Sequence, residues 1–241
     1  DPLSDPPGAF DVVLTNPPFG RRLENVAPPP YWTYGPARRA EFDWLQYVVS
    51  RLAPGGLAAV LLPAGASFNT AAAETVRAGL VEAGLVECVI ALPAGLFTLT
   101  AVPTQIWFLR APGSERAKDP EVLFVAGEHL GRQVLRTLRI LNKDEIALLV
   151  GEYVSWHKAR AVGRSYAGTP GLSRVVRASD IAQQGHSLYP TRYVGSLGHG
   201  SIGPVETRDR LARLTEEISA LHARAAATDA EVARRLERYG L

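Results

Sequence analysis

Apolar runs and segments with helical spacing alternate along the first half of the chain. The runs Phe10–Thr15, Leu57–Leu62 and Leu85–Leu92 are apolar enough to predict buried strands. Apolar residues recur at helical spacing over Arg39–Ala53 and Thr70–Ala83, and each of these segments ends at proline or glycine. The order strand, helix, strand, helix, strand predicts a parallel sheet that is covered by helices on both faces.

A further strand is predicted at Thr104–Arg110. The segment Pro93–Pro103 before it is too short for a helical crossover, so we expect this strand to lie antiparallel to the preceding one. Val122–Val125 is expected to add one more edge strand. The predicted fold class is therefore α/β, with a partial Rossmann-like sheet, an antiparallel edge pair and a C-terminal helical arm.

The second half of the chain is less regular. Asn142–Glu145 resembles a capping box that opens a helix through His157, whereas residues 161–205 are rich in Gly and Ser and have no clear pattern. The last residues carry a stripe of apolar positions close to a heptad, which is typical of a helical hairpin or a coiled-coil arm. We expect three parts: the strand-rich unit 1–127, a helical and irregular extension 128–205, and the helical arm 206–241.

Composition narrows the class of protein. With 46% hydrophobic residues, 21% charged residues and a net charge of +2, the chain of 241 residues is predicted to be globular and without a membrane span. Its one cysteine, Cys88, excludes a disulfide framework and favours a cytoplasmic location, and its scattered histidines predict no metal site. The chain contains no Met and starts at Asp1, so we expect it to be a piece of a longer protein.

The candidate chemistry lies in the loop after the first predicted strand, Asn16-Pro17-Pro18-Phe19 (the NPPF loop). Working loops of α/β enzymes lie at this edge of the sheet. The exocyclic nitrogen of adenine is a poor nucleophile, and acceptors placed at its two hydrogens raise its reactivity. The Asn16 amide oxygen and the Pro17 carbonyl suit this role, while prolines fix the backbone and Phe19 offers a stacking surface. The alternative is a simple turn at the end of a strand.

Aromatic and basic residues alternate after this loop. They suit contact with phosphates and with a base displaced from DNA, whereas the alternative is an extended loop that packs on the domain. A net charge of +2 is too small for the chain to bind DNA by itself, so a partner is expected. The candidate DNA contacts are Arg21, Arg22, Tyr31, Trp32, Tyr34, Arg38 and Arg39.

Four separated stretches give the chain a clear resemblance to a known family. They are Phe10–Phe19, Tyr34–Gln46, Leu52–Pro63 and Ala91–Trp107. With these stretches, the chain resembles the modification (methyltransferase) subunits of type I restriction-modification systems. These are adenine-N6 DNA methyltransferases that depend on S-adenosylmethionine. The stretch Ala91–Trp107 is the most diagnostic, because an NPPF loop also occurs in other amino-methyltransferases.

The resemblance implies a function and a set of partners. Asn16, Pro17, Pro18 and Phe19 would be catalytic residues acting on an adenine that is flipped out of DNA, with S-adenosylmethionine as the methyl donor. Asp1 and Leu3 would be the remnant of a cofactor motif whose glycine-rich turn is expected upstream, so the isolated chain is expected to be inactive. Expected partners are DNA, the specificity subunit through the C-terminal helices, and the restriction subunit.

Other functions remain open at this point. A chain without the cofactor turn is also compatible with a non-catalytic assembly module or a truncated relic. The helical arm 206–241 is compatible with an intramolecular hairpin, because a heptad-like stripe does not identify its partner. A methyltransferase that acts on RNA or on a protein glutamine shares the same strand and loop, although the resemblance through Ala91–Trp107 argues against it.

Overall fold

The computed structural model describes residues 10–23, 29–69, 72–97, 100–113, 120–135, 138–195, 212–226, 228 and 232. Its strands are β1 (Phe10–Thr15), β2 (Leu52–Pro63), β3 (Val86–Ala91), β4 (Thr104–Arg110), β5 (Glu121–Ala126), β6 (Arg132–Leu135), β7 (Leu138–Ile140) and β8 (Ser173–Arg177). Its named helices are α1 (Ala40–Arg51), α2 (Ala72–Glu82), α3 (Lys143–Ala161), α4 (Ala178–Gln183) and α5 (Thr191–Val194), and a short 3-10 helix spans Ala64–Ser67.

The main sheet has the strand order β1-β2-β4-β3-β5-β8. β1 and β2 are parallel, as are β3 and β5, while β4 lies antiparallel between β2 and β3. β8 is antiparallel to β5, and β6 and β7 form a separate hairpin. The predicted α/β sheet with an antiparallel pair is therefore confirmed, but the pair of β3 and β4 lies inside the sheet and not at its edge as expected. The carboxyl ends of β1, β2, β3 and β5 lie along the same edge.

Helices cover both faces of the sheet, as predicted. Alternate residues of a strand point to opposite faces. In β3, Val89 packs in the core that includes residues of α1 and α2, such as Phe42 and Leu80. Its neighbours Cys88 and Ile90 pack in a second core with Trp156 of α3. The lone cysteine is thus a buried core residue, and burial raises the pKa of its thiol.

Two expectations about edges are wrong. The first strand was expected to be buried, but Val12 and Leu14 of β1 are 74% and 83% exposed. The reason is that β1 pairs only with β2 among the described residues. The strand expected at Val122–Val125 was to lie at an edge, but β5 is an interior strand because β8 pairs along it. The Gly- and Ser-rich stretch that contains β8 concealed this strand.

The Pro54-Gly55-Gly56 segment does not form a loop between helix and strand. β2 begins directly after α1 at Leu52, and its pairing with β1 is irregular there. Gly55 has a φ of +79°, a conformation that favours glycine. A Cβ on Gly56 would lie 2.9 Å from the carbonyl oxygen of Phe10, so the close approach of the two strands requires glycine at this position.

α3 is opened by the predicted capping box. The Asn142 side chain accepts from the backbone N–H of Glu145, and the Glu145 carboxylate accepts from the backbone N–H of Asn142, both at 2.8 Å. The helix extends past His157 to Ala161. None of the described helices is long and apolar enough to cross a membrane.

The chain divides into two compact units, residues 1–197 and residues 198–241. The first unit contains β8, α4 and α5, which the sequence placed in an extension separate from the strand-rich unit. In the second unit, residues 212–226 are helical and exposed. The helical arm predicted at 206–241 is therefore helical over its described central part.

Candidate functional site

The NPPF loop leaves the sheet at the carboxyl end of β1. Asn16 is exposed and its side chain makes no hydrogen bond to any described residue. Pro17 is buried, Pro18 is exposed and Phe19 is half-buried. The prolines restrict the backbone on either side of their shared peptide bond. The loop therefore presents an exposed amide at the edge of the sheet, three residues before a half-buried aromatic residue.

The exit of the loop is anchored to α1. Gly20 has a φ of +77°, which a residue with a Cβ rarely adopts, and its backbone N–H donates to Oε1 of Glu41 at 2.6 Å. Glu41 is 2% exposed and lies in the first turn of α1. Sequence reasoning missed this residue. Its only signal was an acidic side chain at the N-terminus of a helix, which the helix dipole alone explains.

Four arginines lie together beside the loop. The backbone at Arg22 pairs with that at Arg39, and flanking hydrogen bonds join Leu23 to Arg38 and Ala40 to Arg21. Arg21, Arg22 and Arg38 are exposed, and Arg39 is half-buried. This arginine bridge, formed by residues 21–23 and 38–40, is a basic surface that follows directly from the NPPF loop.

The three aromatic candidates pack on the domain. The Tyr31 hydroxyl and the Trp32 indole N–H both donate to Oδ1 of Asp43, at 2.9 and 2.7 Å. Burial, together with this hydrogen bond to Asp43, raises the pKa of Tyr31 well above its ordinary value. Tyr34 packs so closely on α2 that a Cβ on Gly79 would lie 2.9 Å from the Tyr34 Cβ. These contacts favour the packing alternative for the aromatic residues.

The turn after β2, next to the NPPF loop along the same edge, is held by buried polar groups. The Ser67 hydroxyl donates to the Gln105 side chain, which also accepts from the Trp107 indole at 3.2 Å. Arg77 is 1% exposed and donates to the carbonyls of Ala66 and His186, at 3.1 and 3.0 Å. Burial lowers the pKa of Arg77 to about 10. These bonds hold the turn after β2 to β4 and to α2.

Two other buried carboxylates hold α3. Glu87 accepts from Arg110 and from Tyr153, the latter at 2.9 Å, with His157 at 3.3 Å and Arg160 at 3.5 Å. This cluster ties β3 and β4 to the helix.

Glu152 on α3 accepts hydrogen bonds from three hydroxyl groups. The Tyr166 and Thr169 hydroxyls each donate at 2.7 Å, and Ser173 is the third donor. The carboxylate thereby fixes the segment that leads into β8. Both carboxylates lie in the packed interior and serve to bind elements to one another.

The remaining site predictions are not reached by the described residues. Asp1 and Leu3, the expected remnant of a cofactor motif, lie outside them. Within the described ranges, no group of three His, Cys, Asp or Glu side chains is arranged to hold a metal ion. Of the predicted site, the structure therefore brings together the NPPF loop and the four arginines.

A known family and several known proteins match the sequence of this chain. A family described as "N-6 DNA Methylase" matches residues 1–199. The type I restriction enzyme HindI methylase subunit of Haemophilus influenzae is 31% identical over 237 residues, which is 96% of this chain and 52% of the relative. The MjaIX methylase subunit of Methanocaldococcus jannaschii is 27% identical over 77% of this chain and 35% of the relative.

The fold also resembles a solved structure. The crystal structure of a type I restriction-modification methyltransferase subunit from Streptococcus thermophilus superimposes with a TM-score of 0.66 at 23% identity. The match covers 80% of this chain and 40% of that one. The chain spans about half the length of the HindI relative and about a third of the MjaIX relative.

Proposed function

The chain belongs to the N-6 DNA methylase family, and on that premise we propose that it presents the target amine in adenine-N6 methylation of DNA. It would do so as part of a type I methylase subunit. The observation that carries the proposal is the NPPF loop, in which the exposed Asn16 amide makes no hydrogen bond to any described residue. An exposed amide followed by two prolines and an aromatic residue is the arrangement that this chemistry requires.

The chemistry follows from two acceptors on one loop. The Asn16 amide oxygen and the Pro17 carbonyl would each accept a hydrogen of the adenine N6 amine. Drawing both hydrogens out of the ring plane would free the nitrogen lone pair, so that the nitrogen could take the methyl group as its C–S bond to the S-adenosylmethionine sulfonium breaks. The neutral thioether would be the leaving group, and the methylated nitrogen would release one proton to water. Phe19 would stack on the base, which offsets part of the cost of extruding it from the duplex.

S-adenosylmethionine supplies the methyl group when it is bound. We assign no described residue to the cofactor, because the candidates Asp1 and Leu3 lie outside the described part of the chain. Among the described residues β1 pairs with β2 alone, so we place the junction with the cofactor-binding part at the other edge of β1, where another strand could pair. The isolated chain is then expected to bind S-adenosylmethionine weakly or not at all by calorimetry. Submicromolar affinity would contradict this.

DNA would be held by the arginine bridge. Arg21 and Arg22 follow directly from the NPPF loop, and with Arg38 they offer exposed guanidinium groups that suit bidentate contact with phosphates. The segment before the second pair of arginines would be held in place by Tyr31, Trp32 and Tyr34, because these side chains pack on α1 and α2. With a net charge of +2, the chain would depend on a further subunit for most of its affinity for DNA.

The C-terminal arm would provide a subunit contact. In the described helix 212–226, Leu214, Ile218 and Leu221 follow at helical spacing and are 47%, 54% and 54% exposed. We assign this stripe to the specificity subunit. Deleting residues 206–241 is expected to weaken that association in gel filtration, and an unchanged complex would exclude the assignment. Contact with the restriction subunit and a cytoplasmic location stay predictions.

The proposal is tested by the product of the reaction. The complete methylase, which joins this chain to the rest of its subunit and to the specificity subunit, is incubated with DNA and S-adenosylmethionine. The DNA is then hydrolysed and its nucleosides are analysed by mass spectrometry. N6-methyladenine is the expected product. Methylation of cytosine, or none at all, would overturn the proposal, and in the second case the assembly-module alternative would be favoured.

A further inference from the structure

Glu41 is a buried carboxylate that is only half satisfied. Its Oε1 accepts the Gly20 backbone N–H at 2.6 Å. Its Oε2 is buried and has no hydrogen-bond partner among the described residues. Burying a charged group with an unpaired oxygen costs free energy, and folded proteins tolerate few such atoms. The position of Glu41 therefore requires an explanation beyond packing.

The other buried carboxylates of the same unit show what a purely structural role looks like. Glu87 has donors from Arg110 and Tyr153 with His157 and Arg160 close by, and Glu152 accepts from three hydroxyl groups. Each of them joins a helix to the sheet or to a following segment. Among the described residues Glu41 instead accepts one hydrogen bond, and its donor is the backbone N–H of Gly20, the residue directly after the NPPF loop.

The loop is thereby clamped at both of its ends. Its entrance is fixed by the ladder between β1 and β2, in which Thr15 pairs with Val60. Its exit is fixed at Gly20, whose φ of +77° leaves the N–H aimed at Glu41. A hydrogen bond to the Gly20 N–H orients the peptide plane between Phe19 and Gly20. The direction of that plane sets where the Phe19 ring lies relative to the Asn16 amide.

We propose that Glu41 is a positioning residue that holds the NPPF loop in the arrangement needed to receive the target amine. This rests on the function proposed above. A carboxylate suits the task because its hydrogen bonds are shorter and stronger than those of a neutral acceptor. The N-terminus of α1 favours the negative charge at this position, which makes the half-satisfied carboxylate tolerable.

Glu41→Ala and Glu41→Gln in the complete methylase separate positioning from simple stability. Glu41→Ala is expected to lower the single-turnover methylation rate at saturating DNA about 10- to 100-fold, because a small displacement of a reacting group has effects of this size. Its affinity for DNA is expected to stay close to wild type. Glu41→Gln retains an oxygen for the Gly20 N–H and is expected to stay within about fivefold of wild type, since a charge-assisted hydrogen bond is about twice as strong as a neutral one.

Glu152→Gln is the matched control, because it alters a buried carboxylate that lies on α3 and contacts only structural groups. It is expected to lower the melting temperature while the methylation rate is retained. The positioning role is overturned if folded Glu41→Ala keeps more than half of the wild-type rate. It is also overturned if Glu41→Gln is as slow as Glu41→Ala, because the negative charge rather than the hydrogen bond would then be essential.

Amide hydrogen exchange of Gly20, measured by NMR on this chain, gives a readout that does not depend on activity. Exchange is expected to be faster in Glu41→Ala and close to wild type in Glu41→Gln. Unchanged exchange in Glu41→Ala would exclude the anchor even if the enzyme methylates adenine. A wild-type enzyme that forms no N6-methyladenine would instead overturn the proposed function, and with it the catalytic meaning of the anchor.

Discussion

β1 and β3 are six-residue strands of similar apolar character, yet they differ in burial. Every residue of β3 is buried, because β4 and β5 flank it and core residues pack on both of its faces. Val12 and Leu14 of β1 are largely exposed, because β1 pairs with β2 alone among the described residues. An apolar pattern thus predicts a strand, while its neighbours decide whether that strand is buried.

The polar groups near the two strands differ in the same way. Glu87 of β3 and Glu152 of α3 are both saturated with donors. Near the end of β1, one oxygen of Glu41 has no hydrogen-bond partner among the described residues, and Asn16 is exposed. Departures from good packing and full hydrogen bonding concentrate at functional sites. Arg110, which binds Glu87, also has a buried nitrogen without a partner among the described residues, so the contrast concerns the carboxylates alone. Those of Glu87 and Glu152 hold elements together, whereas we propose ligand contact at the end of β1.

Truncating one side chain in each strand tests the difference in burial between β3 and β1. Ile90→Ala in β3 is expected to lower the free energy of unfolding by about 2–5 kcal/mol, because it leaves a cavity between sheet and helix. Leu14→Ala in β1 is expected to change it by less than about 0.5 kcal/mol, because Leu14 is 83% exposed. Urea unfolding of the two variants of this chain measures both values. Equal losses would show that β1 is buried in solution.

Asn16→Ala tests whether the exposed amide at the end of β1 has a role in catalysis. In the complete methylase it is expected to lower kcat about 10²- to 10³-fold, the usual cost of removing one group that stabilises developing charge. The melting temperature is expected to stay unchanged, because the side chain is exposed. Asn142→Ala, which removes an exposed asparagine from the cap of α3, is the matched control and is expected to leave kcat unchanged. An active Asn16→Ala enzyme would remove Asn16 from the mechanism.

Glu152→Gln measures the stabilising role of a saturated carboxylate. It weakens hydrogen bonds from Tyr166, Thr169 and Ser173 in a buried position. We expect the free energy of unfolding to fall by about 1–3 kcal/mol. Thermal unfolding monitored by circular dichroism checks this value. A variant as stable as wild type would mean that the three hydroxyl groups find equivalent partners.

How much of this fold the sequence predicts depends on the range of the interactions. Local signals predict the NPPF turn, the capping box at Asn142 and the antiparallel β4, because each rests on neighbouring residues or on the length of a connection. β8 was missed because it lies in a stretch rich in Gly and Ser that has no clear strand pattern. Glu41 was missed because its bond to Gly20 joins residues 21 apart, and an acidic residue in the first turn of a helix does not by itself indicate such a partner.

Removing the N-cap of α3 is expected to have a small effect on the stability of the fold. Asn142→Ala is expected to cost about 1 kcal/mol of stability, as is usual for the loss of an N-cap.

The backbone N–H groups of Asn142 and Gly131 donate to Glu145 and lower the pKa of its carboxyl. Because the folded-state pKa lies below the unfolded one, this stabilisation is present above about pH 4.3, the ordinary value for Glu. It is lost as the pH falls through the lowered pKa.

Glu145→Gln tests this pH dependence. The wild-type protein is expected to be more stable than the variant at neutral pH, and the difference is expected to shrink as the medium is made acidic. Denaturant unfolding at a series of pH values follows the difference. A constant gap between the two proteins at every pH would exclude the assignment of the lowered pKa to this carboxyl.

The proposed mechanism requires the Asn16 amide, at the end of β1, to accept a hydrogen bond from an adenine amine. The most direct test is a structure of the complete methylase bound to DNA that carries its target site, in which the distance from Asn16 Oδ1 to the adenine N6 is measured. We expect an extruded adenine with this distance at about 2.7–3.2 Å, the range of a hydrogen bond. A target adenine whose amine contacts other residues, with Asn16 still facing solvent, would contradict it.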